Sequence, residues 1–196
     1  MTPSAKKLNK KSDEKFSYAD YLSLPDDERW EIIEGEAYDM TPAPAREHQR
    51  LSAIIFVKIY NFLSGKKCEV YFAPFDVRLP EAQDKSDEEI KSVVQPDIVV
   101  VCDQDKLDER GCLGAPDITV EILSPTTSYK DQTEKLLLYE KHGIKEYWIV
   151  NPDARYVMIY RLEGVKYAKP EYLTENDTIE SRVLEGLKID LSELWR

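Results

Sequence analysis

Acidic side chains interrupt two apolar stretches of the chain, and these are the residues that could do chemistry. Asp97 directly follows Pro96 at the start of DIVVVC, and Glu121 lies between Val120 and Ile122 in ITVEIL. A carboxylate in a buried strand must be paired, hydrogen-bonded or bound to a cation, because its desolvation is costly. If the two strands are neighbours, both carboxylates can bind one divalent ion, with the backbone carbonyl of Ile122 as a further ligand. Oxygen ligands of this kind favour Mg²⁺ or Mn²⁺.

A lysine and a histidine are candidate partners of this metal site. Lys135 lies in the helical segment that follows Glu121, from which it could reach the end of the sheet. The alternative is a surface ion pair with Asp131, one helical turn away. His48 has helical spacing to the apolar Leu51, so it faces the core and either borders the site or is a hydrogen-bonded structural residue.

Other candidate groups have simpler interpretations. Alternation along WEIIEGEAYDM places Glu31 on the opposite face from Trp30, which predicts solvent exposure, as for Glu34 and Glu36. His142 precedes Gly143 at a helix end and is typical of a helix-capping residue. The chain has no P-loop, GxGxxG, GxSxG or HExxH motif, so nucleotide-binding, serine hydrolase and zinc protease templates do not fit.

The elements that would position these groups follow from periodicity and breakers. We expect a short helix over 18–24, a hairpin hinged at Glu34-Gly35 and a long helix over 46–63 that Gly65 ends. VVQPDIVVVC and APDITVEIL each predict a buried central strand. A helix with Ser128 as its N-cap and Gly143 as its C-terminal signal comes next, followed by the strand KEYWIVNP. This strand-helix-strand order favours parallel pairing, and RYVMIYRLEG with VKYAKP predicts a closing hairpin.

Composition places the chain among soluble globular proteins. Its 196 residues are 42% apolar and 33% charged, enough for one domain over 16–196. Residues 1–15 hold five lysines, which is more typical of a solvated, disordered tail than of a nucleic-acid-binding arm. We expect a cytoplasmic protein, because no segment resembles a signal peptide or a membrane span. An odd number of cysteines then predicts thiols rather than disulfides for Cys68, Cys102 and Cys112.

Two longer stretches carry a resemblance to a known family. QPDIVVV and PDITVEILSPTTSYKDQTEKLLLYEKHGIKEYWIVNPD resemble the bacterial Uma-type family of putative restriction endonucleases, which belongs to the PD-(D/E)XK nuclease superfamily. The likeness extends from WEIIEGEAYDM to the terminal LKIDLSELW. It implies an α/β fold, restriction-endonuclease-like, with a mixed central sheet flanked by helices and additional antiparallel hairpins.

The resemblance also implies an activity and a set of site residues. It implies a Mg²⁺-dependent endonuclease that hydrolyses phosphodiester bonds in DNA, with Asp97 and Glu121 as metal-binding carboxylates. The lysine that the superfamily carries two residues after the glutamate is replaced by Leu123, and Lys135 on the following helix matches its displaced form. His48 matches a family histidine that follows the Pro-rich turn.

Other functions stay open on the sequence. The net charge of −11 disfavours binding of phosphate backbones by bulk attraction, so any contact with DNA must be local. Leu123 and the acidic surface are also compatible with a catalytically inactive module that binds nucleic acid or protein, and a hydrolase of another phosphate ester is a third class. We further expect a homodimer, because EYWIV and the strands after it could present an apolar edge.

Overall fold

The protein has an α/β fold in which helices pack against the faces of a central sheet. The computed structural model describes residues 14–25, 29–40, 43–81 and 86–195. Its α-helices in these ranges are α1 (Tyr18–Tyr21), α2 (Arg46–Leu63), α3 (Ser128–Gln132) and α4 (Glu134–His142). The expected helix over 46–63 is confirmed at both ends. Its buried Leu51, Ile55 and Ile59 recur at helical spacing, and Gly65 follows with a φ of +75°.

The strands form two larger sheets and one isolated pair. The central sheet has the spatial order β12 (Lys166–Tyr167), β11 (Tyr156–Glu163), β10 (Glu146–Asn151), β9 (Ile118–Ile122), β6 (Ile98–Val101) and β3 (Glu69–Phe72), and β13 (Glu171–Thr174) also pairs with β11. The second sheet has the order β2 (Glu36–Asp39), β1 (Trp30–Ile33), β5 (Val93–Val94), β4 (Val77–Arg78), β8 (Gly111–Leu113) and β7 (Leu107–Asp108). The isolated pair is β14 (Thr178–Glu180) with β15 (Lys188–Asp190). Both expected hairpins, β1–β2 and β11–β12, are present.

Strand directions determine where the chemistry can lie. β9 and β10 are parallel, as the strand-helix-strand order predicts, and α3 and α4 connect them. β6 is antiparallel to β9, so the start of β6 lies beside the end of β9. The sheet is therefore mixed, and the expected fold class is confirmed.

A different helix packs against each face of the central sheet. Along β9, Ile118, Val120 and Ile122 pack in the same apolar core as the buried residues of α2. Val99 of β6 packs on the other face with Leu138 of α4. Because side chains alternate along a strand, Glu121 points to the α4 side of the sheet.

Two predicted elements are each divided in the structure. The stretch VVQPDIVVVC forms β5 of the second sheet and β6 of the central sheet rather than one strand, because Pro96 between them has no N–H for a ladder. The predicted helix after Ser128 is broken at Thr133, whose backbone (φ −127°, ψ −74°) is not helical. Ser128 is its first helical residue rather than its N-cap, which is Thr127, whereas the predicted C-terminal Gly143 is confirmed in the left-handed region.

The prediction of three free thiols is wrong for two of the cysteines. Cys68 and Cys102 form a disulfide, and Cys112 is a buried thiol. β3 and β6 are antiparallel with Glu69 opposite Val101, so one further step along that register places Cys68 opposite Cys102. Cysteine counting cannot detect such a cross-strand pair, because it depends on which strands are neighbours.

The predicted basic tail lies almost entirely outside the described residues, as do residues 82–85 of the acidic loop. The division into a tail over 1–15 and a single domain over 16–196 stays a prediction. In the part of the chain that the structure describes, no helix has the length and apolar character needed to cross a membrane.

Candidate active site

A cavity of about 360 Å³ opens where the start of β6 meets the end of β9. Its lining includes Asp97, Glu121, Lys135, His48 and Ile122, which are all of the site residues predicted from the sequence. They come from α2, α4, β9 and the turn before β6, so the tertiary fold brings together groups that span almost ninety positions of sequence, from His48 to Lys135.

Asp97 and Glu121 are directly opposite each other across two strands. The ladder pairs Ile98 with Val120, and one further step places Asp97 opposite Glu121, on the same side of the sheet. Asp97 Oδ2 accepts the backbone N–H of Ile122 at 2.7 Å and lies 3.1 Å from His48 Nε2. The backbone of β9 thus holds the Asp97 carboxylate beside Glu121.

The same local arrangement occurs a second time in the fold. Asp117, which also follows a proline, directly precedes β9, and its Oδ2 accepts the backbone N–H of Cys102, directly after β6, at 2.7 Å. Its other oxygen lies 2.6 Å from Lys145 Nζ, and Asp117 does not line the cavity. An aspartate that follows a proline therefore bonds to the backbone at each end of the β6–β9 pair. Of these two aspartates, only Asp97 is at the end where Glu121 lies.

Lys135 lies among three carboxylates in the interior. Its Nζ is 2.7 Å from Glu121 Oε1, 2.7 Å from Glu31 Oε1 and 3.6 Å from Asp131 Oδ1. The alternative of a surface Asp131–Lys135 pair is wrong, since both residues are 1% exposed. Burial lowers the pKa of Lys135, but Glu121, Glu31 and Asp131 together raise it well above its usual value. Lys135 is therefore a fixed positive charge at neutral pH and not a base.

Glu31 is the most important residue that sequence reasoning missed. We expected it in solvent, but it is fully buried, with Oε2 2.5 Å from Lys130 Nζ and Oε1 accepting the Gln95 N–H at 2.9 Å. Burial raises its pKa, yet Lys130 and Lys135 lower it to about 2. Side chains of β1 do alternate between two faces. All four residues of β1 are buried, however, so neither face is exposed to solvent and alternation does not predict exposure.

The environment of Glu121 holds excess negative charge. Besides Lys135, Tyr139 donates its hydroxyl to Glu121 Oε1 at 2.8 Å. Burial raises the pKa of Glu121 well above its usual value against the attraction of Lys135, and Asp131, Asp97 and Glu31 raise it further. Four carboxylates and two lysines meet in this region, so a cation would be stabilised there.

His48 contacts the Asp97 carboxylate from α2. Burial lowers its pKa, whereas its hydrogen bond to Asp97, the charges of Asp97 and Asp131 and the backbone of Ile122 raise it, for a net increase. Because a carboxylate oxygen accepts, His48 Nε2 is the donor in its 3.1 Å contact with Asp97 Oδ2. The predicted location of His48 beside the two carboxylates agrees with the structure.

The residues present fit a divalent cation held mainly by the two strand carboxylates. Asp97 Oδ1 and Glu121 Oε2 accept no hydrogen bond from the described residues, and Asp131 Oδ1 is buried without a hydrogen-bond partner. Within the same residues, no group of three or more His, Cys, Asp or Glu has metal-holding geometry. Mg²⁺ commonly uses one or two carboxylates with water and substrate phosphates, and Asp97 and Glu121, with the Ile122 carbonyl, are compatible with that kind of ligand set.

Comparisons with known proteins give a family, a curated relative and a similar solved structure. The family model described as "Uma2: Putative restriction endonuclease" matches residues 18–192. A similar curated protein is "Uncharacterized protein slr1290" of Synechocystis sp. (strain ATCC 27184 / PCC 6803 / Kazusa), 24% identical over 149 residues that cover 74% of each chain. The fold is similar to the crystal structure of a putative nuclease belonging to DUF820 from Anabaena variabilis ATCC 29413, with a TM-score of 0.72 and 23% identity over 92% of this chain and 97% of that one.

Proposed function

The chain belongs to the Uma2 family of putative restriction endonucleases, and from this premise we propose that it hydrolyses phosphodiester bonds in DNA with the help of Mg²⁺ or Mn²⁺. The family supports a nuclease function. The single observation that carries the finer proposal is the pairing of Asp97 with Glu121 across β6 and β9, each with one free oxygen at the same cavity.

Asp97, Glu121 and the Ile122 carbonyl are the residues that would hold the cation. When bound there, the cation would polarise the phosphodiester and lower the pKa of a water molecule. Asp97 is kept in place by the Ile122 N–H, and Glu121 by Tyr139 and Lys135. These bonds orient both carboxylates before substrate arrives, so little reorganisation is needed.

Lys135 supplies the permanent positive charge of the site. Its ammonium group, held between Glu121 and Glu31, would stabilise negative charge as the phosphorus becomes pentacovalent. Leu123, at the position where the superfamily has its lysine, is buried in the apolar core on the α4 side of the sheet. Lys135 on α4 contacts Glu121 instead, so its position is consistent with a site lysine that has been displaced from the strand to the helix.

His48 acts on the site through Asp97 in this proposal. A residue that orients a metal-binding carboxylate typically contributes about 10- to 100-fold to metal affinity or activity. We therefore expect His48→Ala to weaken Mn²⁺ binding by about that factor in a calorimetric titration. His142→Ala, which changes the other histidine of the chain at the end of α4, is the control and is expected to bind Mn²⁺ normally. Equal affinities for both variants would remove His48 from the site.

A plasmid-nicking assay tests the proposed activity. The full chain is incubated with supercoiled plasmid in Mg²⁺ or Mn²⁺, and we expect nicked product that chelator abolishes. Unchanged nicking in chelator would reject cation-dependent hydrolysis. Absence of both nicking and Mn²⁺ binding heat would instead support the second class predicted from the sequence, an inactive nuclease-fold module.

A homodimer is part of the proposal on grounds of symmetry, since two-fold dimers are by far the commonest closed assemblies of identical chains. Of the segments that we expected to mediate it, EYWIV is not at an edge, because β10 lies between β9 and β11 and is buried, whereas the following β12 ends the sheet. Light scattering tests the proposal. A mass of a single 22.7 kDa chain at assay concentration would remove the dimer.

A further inference from the structure

Three aromatic rings in contact form a row that begins at the cavity, with two exposed rings, Phe72 and Tyr60, on either side of the partly buried Phe56. Phe72, at the end of β3, lines the cavity and contacts Phe56 of α2 edge-on at 4.9 Å between ring centroids. Phe56 in turn stacks with Tyr60, one helical turn further, at 5.9 Å. Phe72 is 58% exposed and Tyr60 is 59% exposed. We name Phe56, Tyr60 and Phe72 the aromatic strip.

The strip is attached to the proposed catalytic residues through the backbone. Phe72 is paired with Ile98 in the ladder between β3 and β6, and the next residue, Ala73, donates its N–H to the Asp97 carbonyl at 3.1 Å. Tyr129 is a further ring at the cavity, 75% exposed and adjacent in sequence to the buried Lys130. Exposed rings thus lie at the cavity on β3 and on α3.

Charge along this surface favours a nucleic acid over an apolar partner. Lys66 and Lys67 are exposed in the turn between α2 and β3, at the opposite end of β3 from Phe72. A strand that follows the strip away from the cavity would reach two positive charges, which suit phosphates. A purely apolar partner would gain nothing from these lysines.

The net charge of the protein favours single-stranded DNA over duplex DNA as the ligand of the strip. Duplex binding depends chiefly on neutralising phosphates, and a net charge of −11 opposes the approach of phosphates except at local basic groups. Single-stranded DNA also carries phosphates, but it exposes base faces that stack on aromatic side chains, and this stacking adds to whatever the phosphate contacts contribute. In a duplex the same faces are covered by neighbouring base pairs and cannot contact the rings.

We propose that the aromatic strip binds unpaired bases, so that the substrate of the cavity is DNA that is single-stranded beside the cleavage point. This inference rests on the proposed function and specifies its substrate class. The strand lies with its reacting phosphate in the cavity, its adjacent bases on Phe72, Phe56 and Tyr60, and its more distant phosphates near Lys66 and Lys67.

Fluorescence anisotropy in chelator measures this binding without cleavage. The full chain is titrated into a labelled oligothymidylate and into a duplex of the same length. We expect the single strand to bind at least roughly 10-fold more tightly, and Tyr60→Ala and Phe72→Ala each to weaken it by roughly 5- to 100-fold, the usual effect of one stacked ring. Tyr60→Phe and Phe72→Tyr keep a ring and are expected to retain the affinity.

Tyr172→Ala is the matched control. Tyr172 is 57% exposed and, like Tyr60, contacts one other ring, but it lies on β13 beside β11, far across the sheet from β3. It is expected to bind the single strand like the unchanged protein. Equal losses for Tyr60→Ala and Tyr172→Ala would overturn the inference, as would equal affinity for duplex and single strand.

Two further outcomes distinguish base stacking on the strip from self-association of the chain and from the proposed hydrolysis. If Tyr60→Ala leaves single-strand binding unchanged and converts a dimer to a monomer in light scattering, the strip is an interface between copies and the inference fails. If the unchanged protein binds the single strand through the strip but cleaves neither that oligonucleotide nor plasmid in Mg²⁺ or Mn²⁺, the strip is supported and the proposed hydrolysis fails. Thermal unfolding of each variant verifies that the fold is retained.

Discussion

Asp97→Asn is expected to reduce the rate of cation-dependent DNA cleavage by about a thousandfold. The asparagine oxygen can still accept the Ile122 N–H, so the local backbone is kept, whereas the negative charge opposite Glu121 is lost. Metal ions supply several kcal/mol of transition-state stabilisation, and about 4 kcal/mol corresponds to this factor. The measurement is the initial rate of plasmid nicking at saturating Mn²⁺.

Asp117→Asn provides an unusually close control for that experiment. Asp117 has the same sequence context after a proline, the same acceptor role for a β6–β9 backbone N–H and the same 2.7 Å bond, but it lies outside the cavity. Both variants should therefore lose similar folding stability, while only Asp97→Asn loses activity. Similar cleavage rates for the two asparagine variants would contradict the assignment of Asp97.

Lys135→Met is expected to lower the free energy of unfolding by about 3 to 5 kcal/mol, the typical cost of removing one partner from a buried ion pair. Methionine has a similar length, so the change removes the charge with little change of volume. It leaves Glu121 and Asp131 buried without their ammonium partner, although Glu31 retains Lys130. Urea unfolding measures the difference from the midpoint and the slope.

Lys141→Met is the matched comparison on the same helix. Lys141 also pairs with two glutamates, Glu34 at 2.8 Å and Glu81 at 2.7 Å, but its side chain is 46% exposed. Exposed pairs contribute at most about 1 kcal/mol, so this variant should unfold close to the unchanged protein. If Lys135→Met costs no more than Lys141→Met, the cluster around Lys135 does not hold the fold together, and its role is confined to the cavity.

Much of the architecture was predictable because its signals are local. The spacing of Leu51, Ile55 and Ile59 and the position of Gly65 indicated α2 to the residue, since a helix repeats every 3.6 residues whatever it packs against. The β1–β2 hairpin and the parallel β9–β10 pair followed in the same way from a turn and from a crossover of suitable length. Asp97 and Glu121 were found because charged residues rarely interrupt apolar strands.

Only the tertiary structure decided which of these local features matter to the site. Glu31 is buried because α3 and α4 cover the second face of β1, and alternation within one strand cannot report whether another element covers it. Asp97 and Asp117 are equivalent along the chain and differ only in what the fold places beside them. The sequence by itself determined α2, the β1–β2 and β11–β12 hairpins, the parallel β9–β10 pair and the two candidate acids. The antiparallel pairing of β6 with β9 brought the start of one strand to the end of the other, and that long-range contact alone placed the two acids at one cavity.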